Sequence, residues 1–65
     1  MYHILVIDYT RRTAKRFKTE KAARQYADEK VELWPSHAIS IIGFVDQRSM
    51  LNWIDDKFLD EWVIY

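Results

Sequence analysis

The sequence predicts a single small domain of the α+β class, spanning residues 1–65, in which an antiparallel sheet carries one helix on one face. Three stretches indicate this class: a nearly continuous apolar run at the N-terminus, one amphipathic segment, and a second short apolar run. The favoured order of elements is β-β-α-β-β-β, and the alternative with a C-terminal helix is β-β-α-β-α. With a single helix, the other sheet face is expected to be polar or covered by a partner.

The N-terminal part of the chain predicts a β-hairpin. The segment 2–9 is rich in β-branched and aromatic residues and is too short for a typical helix, which favours a central strand. The polar segment 10–13 predicts a turn. Residues 13–18 are then expected to return as an antiparallel strand, with Lys15 and Phe17 on the same face.

The segment that follows predicts a helix over residues 20–33. Thr19 can cap its N-terminus, and Glu20 suits the positive end of the helix dipole. Pro35 ends the helix, because a proline disfavours helical geometry in the residue before it. The apolar residues of this segment recur at helical spacing and form one stripe, which consists of Ala23, Tyr26, Ala27, Val31 and Trp34.

The second half of the chain predicts one further strand, over residues 38–45, and then becomes ambiguous. One interpretation is a helix capped by Ser49. The other is a hairpin with strands over 50–54 and 58–65. The hairpin is favoured because the last four residues, 62–65, have a strong preference for strands.

The composition limits the class of protein. Apolar residues make up 49% of the 65 residues and aromatic residues 15%, which is enough for a small core. There is no cysteine, so disulfides and thiolate-bound zinc are excluded. The longest apolar run is far shorter than the roughly 20 residues that cross a bilayer, and no signal peptide is evident. We therefore expect a cytoplasmic protein without cofactor, metal or membrane contact.

Charge is divided unevenly along the chain, although the formal net charge is zero. Residues 1–24 contain seven basic and two acidic side chains, a net charge of +5. Residues 25–65 have a net charge of −5. This division predicts one basic and one acidic surface, each suited to a different kind of partner.

The leading functional hypothesis is a non-enzymatic module that binds a larger protein, such as an inhibitor or accessory regulator of the phage or mobile-element type. Its acidic and aromatic C-terminal third is expected to carry recognition, because carboxylates can occupy a basic groove and tryptophan is a common interface anchor. The candidate protein-binding residues are Trp53, Asp55, Asp56, Phe58, Asp60, Glu61 and Trp62.

The alternative hypothesis is a small nucleic-acid-binding protein that uses the basic N-terminal hairpin. Lysine and arginine neutralise phosphates, and nearby aromatic rings can stack on unpaired bases. The zero net charge argues against this hypothesis, because most nucleic-acid-binding domains are clearly basic. The candidate residues are Arg11, Arg12, Lys15, Arg16 and Lys18.

The sequence does not favour an enzyme, and it allows a homodimer. Its two histidines, His3 and His37, are isolated, and no nucleophile, phosphate-loop or metal-binding motif is present. The C-terminal strand is expected to lie at a sheet edge, and two such edges can pair.

Overall fold

The computed structural model describes residues 3–57 and 62–65. Within those two ranges the chain forms a four-stranded mixed sheet and two helices, which confirms the predicted α+β class. The elements are β1 (Ile4–Asp8), β2 (Thr13–Phe17), α1 (Glu20–Leu33), β3 (Ile39–Gly43), α2 (Gln47–Lys57) and β4 (Val63–Ile64). The strands lie in the order β3-β1-β2-β4.

β1 is the central strand, as its continuous apolar character predicts. All five of its residues are buried, and it pairs antiparallel with β2 on one side and β3 on the other. Ile4 and Val6 pack in a core cluster with α1, whereas Leu5 and Ile7 pack in a second cluster. Because neighbouring side chains of a strand point to opposite faces, the two clusters lie on the two sides of the sheet.

β2 follows the predicted turn, and its side chains divide between the faces as expected. Lys15 lies opposite Val6 and therefore on the α1 side, while Ala14 lies opposite Ile7 and is buried in the second cluster. The turn contains no glycine. Arg12 instead adopts a left-handed backbone with φ 58°, which lets the chain reverse before β2 begins.

α1 has the predicted bounds, and both end signals are in place. The Thr19 hydroxyl accepts a hydrogen bond from the backbone N–H of Ala22 at 3.2 Å, which caps the N-terminus. At the other end, the backbone N–H of Trp34 donates to the carbonyl of Lys30 at 2.8 Å, directly before Pro35. The helix therefore begins after its capping residue Thr19 and ends before Pro35, as the sequence predicts.

The buried stripe of α1 is narrower than predicted. Ala23 and Ala27 are buried against β1, and Tyr26 packs at their side. Val31 was expected in the same stripe but is 48% exposed. Tyr26 and Lys30 lie beside Lys15 of β2. At 100° per residue, Val31 falls on the other flank of the helix, with Glu20 and Arg24, which border β3.

The favoured C-terminal hairpin is wrong over residues 47–57, which form α2. Met50 is fully buried against Leu5, Ile7 and Ala14, so α2 covers the sheet face that the favoured arrangement left open. The helix starts before Ser49: its N-terminus is capped by Asp46, whose carboxylate accepts from the Ser49 N–H at 2.8 Å. That hydrogen bond holds the pKa of Asp46 below its ordinary value.

The last strand is shorter than predicted and makes the sheet mixed. β4 pairs in parallel with β2, so that Thr13 lies beside Val63 and Ala14 beside Ile64. A hairpin would have joined two antiparallel strands. Here α2 lies between β3 and β4 in the chain, and β4 runs parallel to its neighbour β2. β4 does lie at the edge of the sheet, as predicted for the C-terminal strand.

Candidate functional site

The candidate site is an open cleft of about 350 Å³ between α1 and β2. β2 contributes Lys15, which points to the α1 side because of its register opposite Val6. The facing flank of α1 contributes Tyr26 and Lys30, and Trp34, the residue that follows the helix, continues their spacing of four. The β1–β2 turn contributes one arginine. We call this site the cationic cleft and define it by Arg11, Lys15, Tyr26, Lys30 and Trp34.

Aromatic rings hold the three cations of the cleft. The Arg11 guanidinium lies 4.6 Å from the centre of the Trp34 ring, and the Lys30 ammonium lies 4.9 Å from the same centre. Lys15 and Lys30 each lie 5.0 Å from the centre of the Tyr26 ring. These distances are within the range of cation–π attraction, which needs no carboxylate.

The three cations have no acidic partner among residues 3–57 and 62–65. The ion pairs in these ranges join Arg24 to Glu20, His37 to Asp8 and Lys57 to Asp56. None of the three cations therefore forms an ion pair with a described carboxylate, and three positive charges against the single carboxylate of Asp8 leave the cleft attractive to an anion.

Asp8 lies at the floor of the cleft, but its carboxylate is directed at other groups. One oxygen accepts from the backbone N–H groups of Thr10 at 3.0 Å and Arg11 at 3.1 Å. The other lies 2.8 Å from Nδ1 of His37. Burial alone would raise the pKa of Asp8, but the bonds to His37 and to the two N–H groups, with the charge of His37, lower it below 3.8.

This carboxylate fixes the two loops that border the cleft. Asp8 joins the β1–β2 turn to the segment after α1, because Thr10 and Arg11 belong to the first and His37 to the second. The His37 ring stacks on Trp34, with centres 5.3 Å apart and planes at 16°. Asp8 thereby positions both Trp34 and Arg11.

Tyr26 adds a neutral hydroxyl to the cationic cleft. Burial raises its pKa above the ordinary 10.0, and nearby Tyr65 and Asp8 act in the same direction, against Arg11. The phenol therefore keeps its proton at neutral pH and can donate a hydrogen bond to an anion. Tyr65, next to β4, also lines the cleft.

The predicted nucleic-acid-binding residues divide between different surfaces. Arg11 and Lys15 line the cleft. Arg16 lies on the α2 side, and its Nε donates to the carbonyl of Tyr65 at 3.1 Å. Arg12 lies in the turn and Lys18 follows β2, and both are exposed. The basic run is therefore not one patch.

Sequence reasoning missed three residues of the cleft: Tyr26, Lys30 and Trp34. The sequence pattern places Tyr26 and Trp34 in the core stripe and Lys30 in the acidic half of the chain. Their spacing of four along α1 and its C-cap is visible in the sequence, but it indicates a site only because β2 lies beside that flank of the helix.

The predicted protein-binding residues lie across the sheet from the cleft or outside the described residues. Trp53 and Trp62 are half-buried in the second core cluster, where Trp53 contacts Phe44 and Trp62 contacts Tyr9. Asp55 and Asp56 are exposed on α2. The other candidates lie outside the described residues, and they are Phe58, Asp60 and Glu61.

Two kinds of feature are not found within residues 3–57 and 62–65. None of the helices there is long and apolar enough to span a bilayer. No group of three or more histidine, aspartate or glutamate side chains there is arranged to hold a metal ion.

Comparison with known proteins gives no match: no family model fits the chain, and no curated protein or solved structure is significantly similar to it.

Proposed function

We propose that the protein is a non-enzymatic binding module that holds single-stranded nucleic acid by its phosphates in the cationic cleft. The observation that carries this proposal is the convergence of Arg11, Lys15 and Lys30 without a described carboxylate partner. Unpaired cations in a concave site attract a polyanion, and a phosphate chain supplies several negative charges in a row.

The shape and lining of the cleft favour a single strand over a duplex. The site is a concave channel between a helix and a strand, whereas a duplex is read by an element that protrudes into a groove. The faces of Tyr26 and Trp34 are already occupied, since Lys15 and Lys30 lie over Tyr26, while Arg11, Lys30 and the stacked ring of His37 lie over Trp34. The two rings therefore fix the cations that contact the phosphates, and the bases of a bound single strand are expected to point out of the cleft.

The zero net charge of the chain is compatible with this function because the positive charge is local. Asp55 and Asp56 lie on α2, across the sheet from the cleft. With three cations available, the logarithm of the binding constant should fall with the logarithm of salt concentration with a slope of about −2. This is weak, sequence-tolerant binding.

The test is a fluorescence anisotropy titration of a labelled single-stranded oligonucleotide at several salt concentrations. Wild type is expected to show a slope of about −2, and the double variant Lys15→Gln/Lys30→Gln a weaker affinity and a slope of about −0.7. The matched control is Arg12→Gln, which removes a charge outside the cleft and should change the slope by less than one lysine does.

Three results would contradict the proposal. The first is no binding by a wild-type protein shown to be folded by circular dichroism. The second is an equal loss on changing Arg12. The third is a preference for duplex over single strand.

A further inference from the structure

β3 lies at one edge of the sheet and directs a row of backbone groups away from β1. The N–H of Tyr9 donates to the carbonyl of Ala38, and the N–H of Phe44 donates to the carbonyl of His3. Ala38 and Phe44 therefore direct their backbone groups at β1, and by the alternation of an antiparallel ladder so do the residues two apart between them. The outward-facing residues of β3 are thus Ile39, Ile41 and Gly43.

The β3 strand has neither the charged side chains nor the proline that commonly prevent an edge strand from pairing with another chain. The strand reads ISIIG. Ile41 is 40% exposed, and nothing lies within 4 Å of the position that a Cβ on Gly43 would occupy. No described residue pairs with the outward groups, since β3 has a ladder with β1 alone.

We propose that a second copy of this chain pairs with β3 in an antiparallel arrangement, around a twofold axis at Ile41. In that register Ile41 meets its own counterpart, and Ile39 of each copy meets Gly43 of the other. Every outward backbone group then finds a partner, for about six hydrogen bonds. The two sheets become one, with the same surface used by both copies.

The flank of α1 that borders this edge suits the same partner. α1 lies over β1 and β3. With strands about 4.8 Å apart, continuing the sheet brings the two copies of α1 to roughly 10 Å, a distance at which helices pack. Val31, exposed on this flank, would lie towards the other copy's α1.

The charge on this flank does not oppose association of identical surfaces. Glu20 and Arg24 form an ion pair at 2.9 Å beside a groove of about 340 Å³ that also includes Ile4, Ile41 and Gly43. Because the pair is neutral as a unit, two copies can approach without like-charge repulsion. The other edge strand, β4, has only two residues and provides a much shorter ladder.

The test compares matched charged substitutions at the two edges by analytical ultracentrifugation. Wild type is expected to have twice the chain mass of 7.9 kDa. Ile41→Lys should be a folded monomer by circular dichroism, whereas Val63→Lys, at a similarly exposed position on β4, should remain a dimer. Ile41→Pro, which removes an outward N–H and no bond to β1, should also be monomeric.

Amide hydrogen exchange of the wild type keeps the test decisive if an Ile41 variant fails to fold. Pairing predicts slow exchange for Ile39, Ile41 and Gly43 at high protein concentration and faster exchange on dilution. A wild type of 7.9 kDa at all concentrations, fast exchange at these three amides, or dissociation by Val63→Lys alone would overturn the proposal.

Discussion

Replacing Met50 with alanine is expected to destabilise the domain by about 2–5 kcal/mol. The Met50 side chain is fully buried and joins α2 to Leu5, Ile7 and Ala14. Its truncation removes apolar contact and leaves a cavity under the helix. Because a 65-residue chain is marginally stable, this loss is a large share of its total stability. Urea denaturation followed by circular dichroism measures the change.

The neighbouring residue supplies the control. Leu51 lies on the same helix but is 40% exposed, so Leu51→Ala should cost much less than Met50→Ala. Met50→Leu keeps most of the volume and should cost less than about 1.5 kcal/mol, which guards against complete unfolding of the alanine variant. Equal costs for Met50→Ala and Leu51→Ala would contradict the packing of α2 on the sheet.

Replacing Asp8 with alanine is the second large expected effect, at about 1–3 kcal/mol. The substitution leaves the N–H groups of Thr10 and Arg11 and the ring of His37 without their acceptor. Asp8→Asn should cost less, because the amide oxygen can still accept from the two N–H groups. Urea denaturation of both variants at neutral pH gives the comparison.

The contribution of Asp8 to the free energy of unfolding should also depend on pH in the acid range. Its pKa in the folded protein lies below the ordinary 3.8, so the unfolded chain takes up a proton first as the pH falls. The stabilisation is therefore complete above the ordinary pKa and is lost as the pH falls through the folded pKa. The stability difference between wild type and Asp8→Asn should shrink below pH 3.8. A difference that stays constant or grows in acid would contradict this role.

Elements whose signals are local were predictable from the sequence. The helix over residues 20–33 was predicted with its observed bounds because Thr19 and Pro35 act within a few residues of its ends. The central strand was predictable for the same reason, since a strand buried on both faces has continuous apolar character. Neither prediction required knowledge of the partners.

The C-terminal third was mispredicted because its structure depends on distant contacts. The segment 49–65 has both helical spacing and a β-prone ending, and local preferences did not decide between them. The deciding factor is the second face of β1, which needs a cover and receives Met50. Burial across the sheet therefore decided against the hairpin that the strand preference of residues 62–65 had favoured.

Two of the five residues that define the cationic cleft were predicted from the sequence, and the other three depend on contacts between distant elements. Arg11 and Lys15 belong to a basic run that is visible in the sequence. Lys30 belongs to a helix with acidic neighbours, and only the packing of α1 beside β2 brings it to the same site. Summing charge along the chain therefore predicted a basic surface but not its third cation or its aromatic rings.

The most direct measurement of the central claim follows the three tryptophan indole N–H resonances in ¹H–¹⁵N spectra while oligothymidylate is added. Trp34 lies in the cleft, whereas Trp53 and Trp62 belong to the core cluster across the sheet. Binding in the cleft predicts that the Trp34 signal shifts progressively and the other two stay in place. Movement of Trp53 or Trp62 without Trp34, or no movement at all, would contradict it.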